Sequence, residues 1–525
     1  MRLTLDHLAA AALAAAASGF TALASSALAL RTLAERNAVP AARVLRVVWE
    51  RPFGNWPADL QIAATLIICV TLIIGFLSLW LAWGHQFIQR PRDLSSVRAA
   101  KELLSRSSKG EPKIFGGIYE SQRFFASVED RGLVVGPPGT GKTAFLCNQV
   151  LSLANQKTSL VAVDIKPELH KLLSASLEKS GYRVVRINPA IEDHNADHWN
   201  PLDEIADETA VFELCAALLP LRDPREAPFI ESQRDWLKAA VLHMSMQSGG
   251  SLPMAYDFLS SGDPQETLKI LLSSQNANAQ RIARRLQAGL SGPKPDPLIA
   301  AGLSGALRGL DFLGLPGVRS ALGNSDFSMR ESLSSSTPTA IFLQFDESKL
   351  QALAPVLSFI SASVIGLLIE TATDRPPVAV FLDELGNIPP LPGLGEKLNT
   401  IRSRNMPTWM YFQTLEQIDR RYGNGSSAVF MAATDIQMFF RLNDQPSREL
   451  VSKLVGTTWR KKYSRTDSAD RGSVSFTRET VNVIEPHALG QLAPGEVVTL
   501  YRGAAARGQA RPYFVDYPEY KRRKE

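Results

Sequence analysis

The chain has 525 residues, of which 45% are hydrophobic and 21% are charged, and its formal net charge is +5. This composition is typical of a globular protein with some membrane content, and the length allows about three domains. Its three cysteines, Cys69, Cys147 and Cys215, lack the spacing of a zinc site or a disulfide framework, so neither class is expected.

Two N-terminal segments are apolar enough to cross a membrane. Residues 60–83 carry no Asp, Glu, Lys or Arg, and about 20 such residues span the hydrocarbon core as a helix. Residues 8–30 are also uncharged but richer in alanine and serine, and they are the first predicted transmembrane helix. For this first run, a signal peptide cleaved near residues 25–27 and a peripheral segment both stay open as alternatives.

The charges around these segments indicate their orientation. Residues 90–113 hold seven Lys or Arg residues, which the positive-inside rule places in the cytoplasm. Residues 31–59 then form a short periplasmic loop, although they hold five arginines and three acidic residues. We therefore predict a membrane anchor over residues 1–89 and a cytoplasmic remainder.

A glycine-rich loop follows the apolar run Leu133–Val135 and precedes a helix-like stretch, residues 144–155. It reads G-x-x-x-x-G-K-T in the strand–loop–helix setting of a phosphate-binding loop. Backbone N–H groups of such a loop surround a phosphate, and the helix N-terminus adds partial positive charge. We expect Lys142 to contact the β- and γ-phosphates of ATP and Thr143 to bind Mg²⁺. The expected nucleotide-binding residues are Gly136, Pro137, Pro138, Gly139, Thr140, Gly141, Lys142 and Thr143.

Further along the chain, apolar runs typical of buried strands alternate with amphipathic stretches. This alternation predicts an α/β fold with a parallel sheet covered by helices. The predicted strands are Leu160–Val163, Arg183–Ile187, Ala340–Leu343, Val378–Leu382, Thr408–Phe412 and Ile436–Phe440. Between about Ile205 and Leu333 strand signals are scarce, which predicts an inserted helical region. Its predicted helices are Thr209–Leu219, Gln233–Gln247, Pro264–Ser273 and Ala277–Leu290.

Two acidic residues, Asp383 and Glu384, directly follow the predicted strand Val378–Leu382. The carboxyl ends of parallel strands share one edge of a sheet, so we expect both carboxylates beside the phosphate loop. Asp383 is predicted to hold Mg²⁺, directly or through water, and Glu384 to act as general base on the attacking water.

Two further polar residues lie near the strand Thr408–Phe412. Gln413 follows it and is predicted to hydrogen-bond the γ-phosphate or the lytic water, although a turn or helix-cap role fits the pattern equally well. Arg402 precedes it and is a candidate arginine finger, since hydrolytic motors often need an arginine against the transferred phosphoryl group. A solvated surface arginine is the alternative. Near the C-terminus, Val481–Ile484 and Glu496–Tyr501 are predicted strands, and Arg460–Ser475 is expected to be a loop.

Several stretches together resemble the type IV secretion coupling proteins, the TraG/TraD-type conjugative coupling ATPases. The resemblance covers nearly the whole chain and includes the two apolar runs and the phosphate loop. Its other features are Asp164–Leu169, Asn188–Pro189, Trp199–Asp203, Leu382–Gly386, Arg402, Gln413 and Tyr422–Gly423. Pro167 stands where the family usually has glycine, which puts only the local turn in question.

The resemblance implies a RecA-like P-loop nucleotide-binding domain with an inserted all-α domain and two N-terminal transmembrane helices. The implied boundaries are residues 1–89 for the anchor, 90–205 and 334–525 for the nucleotide-binding domain, and 206–333 for the insertion. It also implies catalytic roles for Lys142, Glu384, Gln413 and Arg402, the last reaching a neighbouring subunit.

The family function implied by the resemblance is delivery of substrates to a secretion channel. Members assemble as homo-hexamers in the lipid of the inner membrane, with the ATPase domain in the cytoplasm. They recruit relaxase–DNA complexes or protein effectors, and their DNA contacts are expected to be sequence-independent phosphate contacts. Two alternatives stay open: a docking scaffold in which nucleotide controls assembly, and an FtsK-like DNA pump. The pump is disfavoured because no DNA-reading winged-helix region follows the ATPase core.

Overall fold

A long mixed β-sheet runs through the protein. The structure is a computed structural model that describes residues 61–62, 65, 93–110, 112–221, 223–291, 293–372, 375–388, 390–391, 394–401, 403–466 and 473–523. In chain order the strands of this part are β1 (Lys113–Tyr119), β2 (Gln122–Ser127), β3 (Gly132–Val135), β4 (Ser159–Asp164), β5 (Arg183–Ile187), β6 (Thr339–Gln344), β7 (Val378–Leu382), β8 (Thr408–Phe412), β9 (Ile436–Phe439), β10 (Thr457–Thr466), β11 (Ser473–Asn482), β12 (Glu496–Tyr501) and β13 (Ala504–Gln509).

The strands in one continuous part of this sheet pair in parallel. Across the described residues the strand order is β2-β1-β13-β12-β9-β3-β8-β7-β4-β6-β5. The strands from β9 to β5 in this order pair in parallel, and β12, β13, β1 and β2 extend the sheet antiparallel beyond β9. Because β3, β8, β7 and β4 are parallel neighbours, the segments that follow them meet at one edge.

The interior strands are buried on both faces, and their side chains alternate between two apolar cores. In β8, Trp409 and Tyr411 belong to one core, and Met410 and Phe412 belong to the other. The strand β4 shows the same division. Successive side chains of a strand point to opposite faces, so a short apolar run buries side chains in both cores. Burying one such large side chain contributes roughly 1.5–3 kcal/mol, which explains why these runs form strands here.

Helices cover both faces of the sheet. In chain order they are α1 (Val97–Leu104), α2 (Lys142–Ala154), α3 (Glu168–Lys179), α4 (Glu208–Leu218), α5 (Ala227–Met244), α6 (Leu252–Ser260), α7 (Pro264–Leu272), α8 (Ala277–Leu290), α9 (Pro297–Leu310), α10 (Pro316–Gly323), α11 (Met329–Ser334), α12 (Leu350–Glu370), α13 (Leu394–Ile401), α14 (Leu415–Tyr422), α15 (Ser426–Ala433), α16 (Gln445–Val455), α17 (Pro486–Leu489) and α18 (Tyr513–Asp516). The helices α1, α2 and α3 pack in one core, and α4 to α12 pack in the other.

In its described residues, the regular elements of the connection from β5 to β6 are all helices, α4 to α11 and short 3₁₀ turns, joined by loops. Several helices start at side-chain caps, among them Asp207 for α4 and Asn276 for α8, whose oxygens accept backbone N–H groups of the first turn. The helix α5 begins at Ala227, earlier than the sequence pattern predicts, because Asp223 and Pro224 start a short 3₁₀ turn that leads into it. The apolar side chains of these helices continue into the core on the sheet.

The predicted transmembrane helices, residues 8–30 and 60–83, lie outside the described residues except for Gln61, Ile62 and Thr65. These three residues are helical and belong to a unit, Met1–Pro91, that is distinct from Arg92–Glu525. Within the described part, the stretch Glu347–Glu370 is also long and apolar enough to cross a membrane, with a mean hydropathy of 2.3. Most of it is buried against the sheet, as a core helix is.

The segment Arg460–Ser475 is not the loop that its polar composition predicts. Residues on both sides of its centre belong to β10 and β11, which pair antiparallel in continuous register outside the main sheet. Residues Thr477–Thr480 of β11 are exposed, so polar side chains suit a strand here. A pattern that seeks apolar alternation misses this hairpin because these exposed positions carry polar side chains.

We expect the substitution Gly132→Ala to destabilise the protein by about 1–3 kcal/mol through overpacking. A methyl group at this position of β3 would overlap the indole of Trp409, which is fully buried and has no room to move. The matched control is Gly366→Ala in α12, where a methyl group meets no atom within 4 Å and alanine favours the helix. Thermal unfolding of the full chain should show a lower midpoint for the first variant only. Equal midpoints for both variants would contradict this packing.

Candidate functional site

The phosphate-loop sequence forms a tight turn between β3 and α2. Gly139 and Gly141 have φ angles of 77° and 103°, which glycine adopts without the strain of a side chain. The Thr140 hydroxyl donates to the Pro137 carbonyl at 2.8 Å and closes the turn from inside. No atom lies within 4 Å of a Cβ placed on Gly139, so the outer side of the loop is open to a ligand.

Lys142 begins α2 and turns its ammonium group back towards the loop. Its Nζ donates to the carbonyl oxygens of Gly136 at 2.5 Å and Pro137 at 3.2 Å, and the residue is only 5% exposed. Burial lowers the pKa of Lys142, whereas the negative charges of Glu384 and Asp383 raise it. The expected phosphate-binding lysine and the expected acidic pair therefore share one electrostatic environment.

Asp383 follows β7 at the same edge of the sheet and is 6% exposed. Burial raises the pKa of its carboxyl group to about 7, the charge of Glu384 adds to this, and Lys142 opposes it. A nearby cation would stabilise the ionised form of this buried carboxyl group, and carboxylate oxygens are ligands that Mg²⁺ prefers. Thr143, the other expected Mg²⁺ ligand, lies half-buried in the first turn of α2.

Glu384 adopts a left-handed backbone conformation, with φ 50° and ψ 36°. For a residue other than glycine this costs of order 1–3 kcal/mol, and such strain is found mainly at functional sites. The turn lets the Glu384 backbone N–H donate to Asp383 Oδ1 at 3.0 Å. It also brings both carboxylates to the same edge.

The side chain of Glu384 is held by two amide groups. Its Oε2 accepts hydrogen bonds from Gln413 Nε2 at 2.7 Å and from Asn387 Nδ2 at 3.2 Å. Gln413 is itself placed by its backbone N–H, which donates to Gln417 Oε1 at 3.0 Å. The structure therefore brings Gln413 into direct contact with Glu384.

Sequence reasoning assigned no role to Lys166 or Asn387. The Nζ of Lys166 lies 3.6 Å from Glu384 Oε1. Lys166 is the lysine of the D-x-K-x-E stretch at Asp164–Glu168, which is part of the family resemblance, and this motif could have pointed to it. Asn387 carries no such signal, because only the turn after Glu384 brings its amide back to the carboxylate.

The C-terminal strands also support the phosphate loop. The backbone N–H of Gly495, just before β12, donates to the Thr140 carbonyl at 3.1 Å. On α2, Asn148 donates to the Arg511 carbonyl at 2.8 Å and to Asp516 Oδ2 at 2.9 Å. Arg402 lies outside the described residues, so its role as an arginine finger stays a prediction.

The site and fold match a known family. The family described as "Type IV secretory system Conjugative DNA transfer" matches residues 91–523. Protein VirD4 of Agrobacterium fabrum is 23% identical over 419 residues, which are 76% of this chain and 61% of that protein. Protein VirD4 of Rhizobium rhizogenes is 23% identical over 339 residues, or 62% of this chain and 49% of that protein. The chain thus spans 49–61% of these relatives' lengths.

Solved structures of the conjugative coupling protein TrwB share the fold. Its unbound form aligns with a TM-score of 0.64 and 16% identity over 78% of this chain and 92% of that one. TrwB in complex with ADP and Mg²⁺ aligns with a TM-score of 0.63 and 16% identity over 78% and 91% of the two chains. The expected RecA-like α/β fold is therefore confirmed. With the family match running over most of its length, this chain belongs to the type IV secretory system conjugative DNA transfer family, the type IV coupling proteins.

Proposed function

We propose that this protein is a membrane-anchored coupling ATPase that uses ATP hydrolysis to deliver substrates to a type IV secretion channel. The observation that carries this proposal is the convergence of Lys142, Asp383, Glu384 and Gln413 at one sheet edge. A protein that only bound nucleotide would have no use for an ordered carboxylate beside the phosphate loop. Glu384 is buried and has a strained backbone conformation, and two amides orient its carboxylate, as a general base requires.

The residues at the site fit an Mg²⁺–ATP complex. The open loop, the α2 N-terminus and the Lys142 ammonium supply positive charge for the phosphates. Asp383 and Thr143 supply the oxygen ligands that would hold the metal. Bound Mg²⁺ would neutralise charge that develops on the phosphate oxygens. Glu384 would accept a proton from the attacking water at its Oε1, while Gln413 keeps the carboxylate oriented through Oε2.

The domain boundaries and assembly belong to the same proposal. The anchor over residues 1–89 would hold the protein in the inner membrane, and the helices within 206–333 would recognise substrates at the entrance of a homo-hexameric ring. Arg402 would reach the ATP of a neighbouring subunit. The family description names conjugative DNA transfer, which favours a relaxase–DNA complex as cargo, with protein effectors as a second class. Support for the nucleotide comes from TrwB, which has been solved with an ATP analogue, ADPNP, and aligns over 80% of this chain.

A docking scaffold in which nucleotide controls assembly is the second candidate function. It differs from the motor in one respect that can be measured, because it needs nucleotide binding and no turnover. The FtsK-like pump shares the core fold and differs in acting on chromosomal DNA with no secretion channel.

Two substitutions separate binding from hydrolysis. We expect Lys142→Ala to lower ATP affinity at least tenfold, because it removes the ammonium that neutralises the phosphates. We expect Glu384→Gln to keep ATP binding and to lower DNA-stimulated turnover at least a hundredfold, within the usual range for loss of a general base. ATP binding and turnover should be measured on the detergent-solubilised full chain with single- and double-stranded DNA.

The same Glu384→Gln variant tests the function in cells. Loss of substrate transfer at normal protein levels is the result expected of a motor. Normal transfer by this variant would refute the motor and favour the scaffold. Lys179→Ala, an exposed substitution at the far end of α3, is the control and should leave binding, turnover and transfer unchanged.

Asp383 should make the nucleotide-free protein less stable as the pH rises. Its folded-state pKa of about 7 lies above the unfolded value of 3.8, so the folded protein retains a proton that the unfolded chain has already released. This carboxyl group therefore destabilises the fold progressively from about pH 4 to pH 7, by at most about 4 kcal/mol. Asp383→Asn should unfold at a higher temperature than the native chain at pH 8, and this gain should shrink towards pH 5. A gain that is the same at both pH values would contradict the raised pKa.

A further inference from the structure

A second lysine approaches the acidic pair from the side opposite the phosphate loop. In the sheet order β3-β8-β7-β4, the loop follows β3 and the acidic pair follows β7. Lys166 follows β4, which pairs in parallel with β7 so that Val163 lies opposite Leu382. Asp164 and Asp383 thus leave the sheet at the same level, and Lys166 lies beyond them. The two ammonium groups, of Lys142 and Lys166, flank the carboxylates from opposite sides.

The contacts of Glu384 are divided between its two oxygens. Oε2 is fixed by Gln413 and Asn387, and Oε1 faces the Lys166 ammonium at 3.6 Å. This distance makes an ion pair that is longer than a good hydrogen bond. The carboxylate can therefore lose Lys166 and keep its orientation, because the amides hold it independently.

Hydrogen bonds hold the backbone near Lys166, whereas its side chain is partly exposed. The Asp164 carboxylate accepts hydrogen bonds from the backbone N–H groups of Glu168 at 3.1 Å and His170 at 3.0 Å, which locks the start of α3. The Lys166 side chain is 34% exposed and ends a flexible four-carbon stem. Because the backbone is fixed and the four-carbon side chain is flexible, the Lys166 ammonium can pair with either of two nearby anions.

We propose that Lys166 detects the γ-phosphate, pairing with Glu384 when ADP or no nucleotide is bound and moving to the γ-phosphate oxygens when ATP is bound. Lys142 is the expected contact of the β- and γ-phosphates, and the charges of Glu384 and Asp383 act on it, so a γ-phosphate would lie towards the acidic pair. Transfer of the ammonium would free Glu384 Oε1 to accept the proton of the attacking water. Hydrolysis competence is thereby coupled to the presence of the third phosphate. This inference rests on the proposed function, since it assigns a role at the same ATP site.

The charges around Lys142 support this arrangement. Burial is the main cause that lowers the pKa of Lys142, and the charge of Lys166 lowers it further, so the two ammonium groups are close enough to repel each other. A third phosphate placed between them would relieve this repulsion. ADP, which lacks this phosphate, would relieve it less.

The test is the ratio of affinities for ADP and for a non-hydrolysable ATP analogue, measured with Mg²⁺ on the full chain. For Lys166→Ala we expect ADP affinity within twofold of the native chain and a loss of about tenfold for the analogue. Lys166→Arg should restore most of that loss, because it keeps the cation. The matched control is Lys171→Ala, an exposed lysine on α3, which should change neither affinity.

A double-mutant cycle adds a readout that a merely structural role would not move. In Glu384→Gln the competing carboxylate is gone, so we expect tighter analogue binding, with ADP binding unchanged. Adding Lys166→Ala should abolish that gain, and the two effects should be non-additive. Additive effects, equal losses for ADP and the analogue, or a Lys166→Ala variant that matches Lys171→Ala would each overturn the proposal.

These results also separate this inference from the proposed function. If the native chain binds both nucleotides and does not hydrolyse ATP, the motor fails, and the affinity ratio still decides the role of Lys166. If the native chain hydrolyses ATP and Lys166→Ala discriminates normally, only the role of Lys166 fails. If the native chain binds no nucleotide, both proposals are overturned.

Discussion

The site depends on one constraint, the parallel adjacency of β3, β8, β7 and β4. Each of these strands is short and buried, and each leads into a segment that carries a residue of the site. Parallel strands direct their carboxyl ends to the same edge, so four segments far apart in sequence deliver their side chains to one place. If any of these strands slipped by one residue, its apolar side chains would change faces and its terminal polar group would move with them. The packing of the two cores thus also fixes the geometry of the site.

That edge concentrates charges that are costly to bury. Lys142, Asp383 and Glu384 are each at most 6% exposed, and removing such groups from water costs several kcal/mol apiece unless they are paired. The pairing is incomplete, because Lys142 donates to backbone carbonyls of the loop and Lys166 lies 3.6 Å from Glu384. Burial is the main cause of the raised pKa of Asp383, and the neighbouring charge of Glu384 raises it further. A ligand that brings both phosphate oxygens and a divalent cation would therefore stabilise the site, because the cation would pair with the buried carboxylates and the phosphates with the buried ammonium group.

The sequence alone predicts the framework of this arrangement well. The strands β5, β7, β8 and β12 have the bounds that apolar runs indicate, because a buried strand needs a continuous apolar segment. The phosphate loop and the acidic pair are recognisable because their chemistry requires those residue types at those positions. Contacts that a turn creates, or that join segments far apart in the sequence, cannot be recognised in this way. Asn387 reaches Glu384 through the left-handed turn, and Gly495 reaches Thr140 across more than 350 residues of chain. The β10–β11 hairpin was missed for the related reason that its exposed residues carry no apolar alternation.

The contact between Gly495 and Thr140 gives the antiparallel half of the sheet a role of its own. The strands β12 and β13 pair with each other and with β9 and β1, so the loop before β12 leads into a strand that is paired on both sides. The phosphate loop is therefore held from two directions, by β3 and α2 on one side and by Gly495 on the other. The C-terminal residues Arg511 and Asp516 extend this support along α2 through Asn148. The hydrogen bond between Thr140 and Gly495 joins the backbone of the phosphate loop directly to that of the C-terminal strands, so the position of the loop depends on both halves of the sheet.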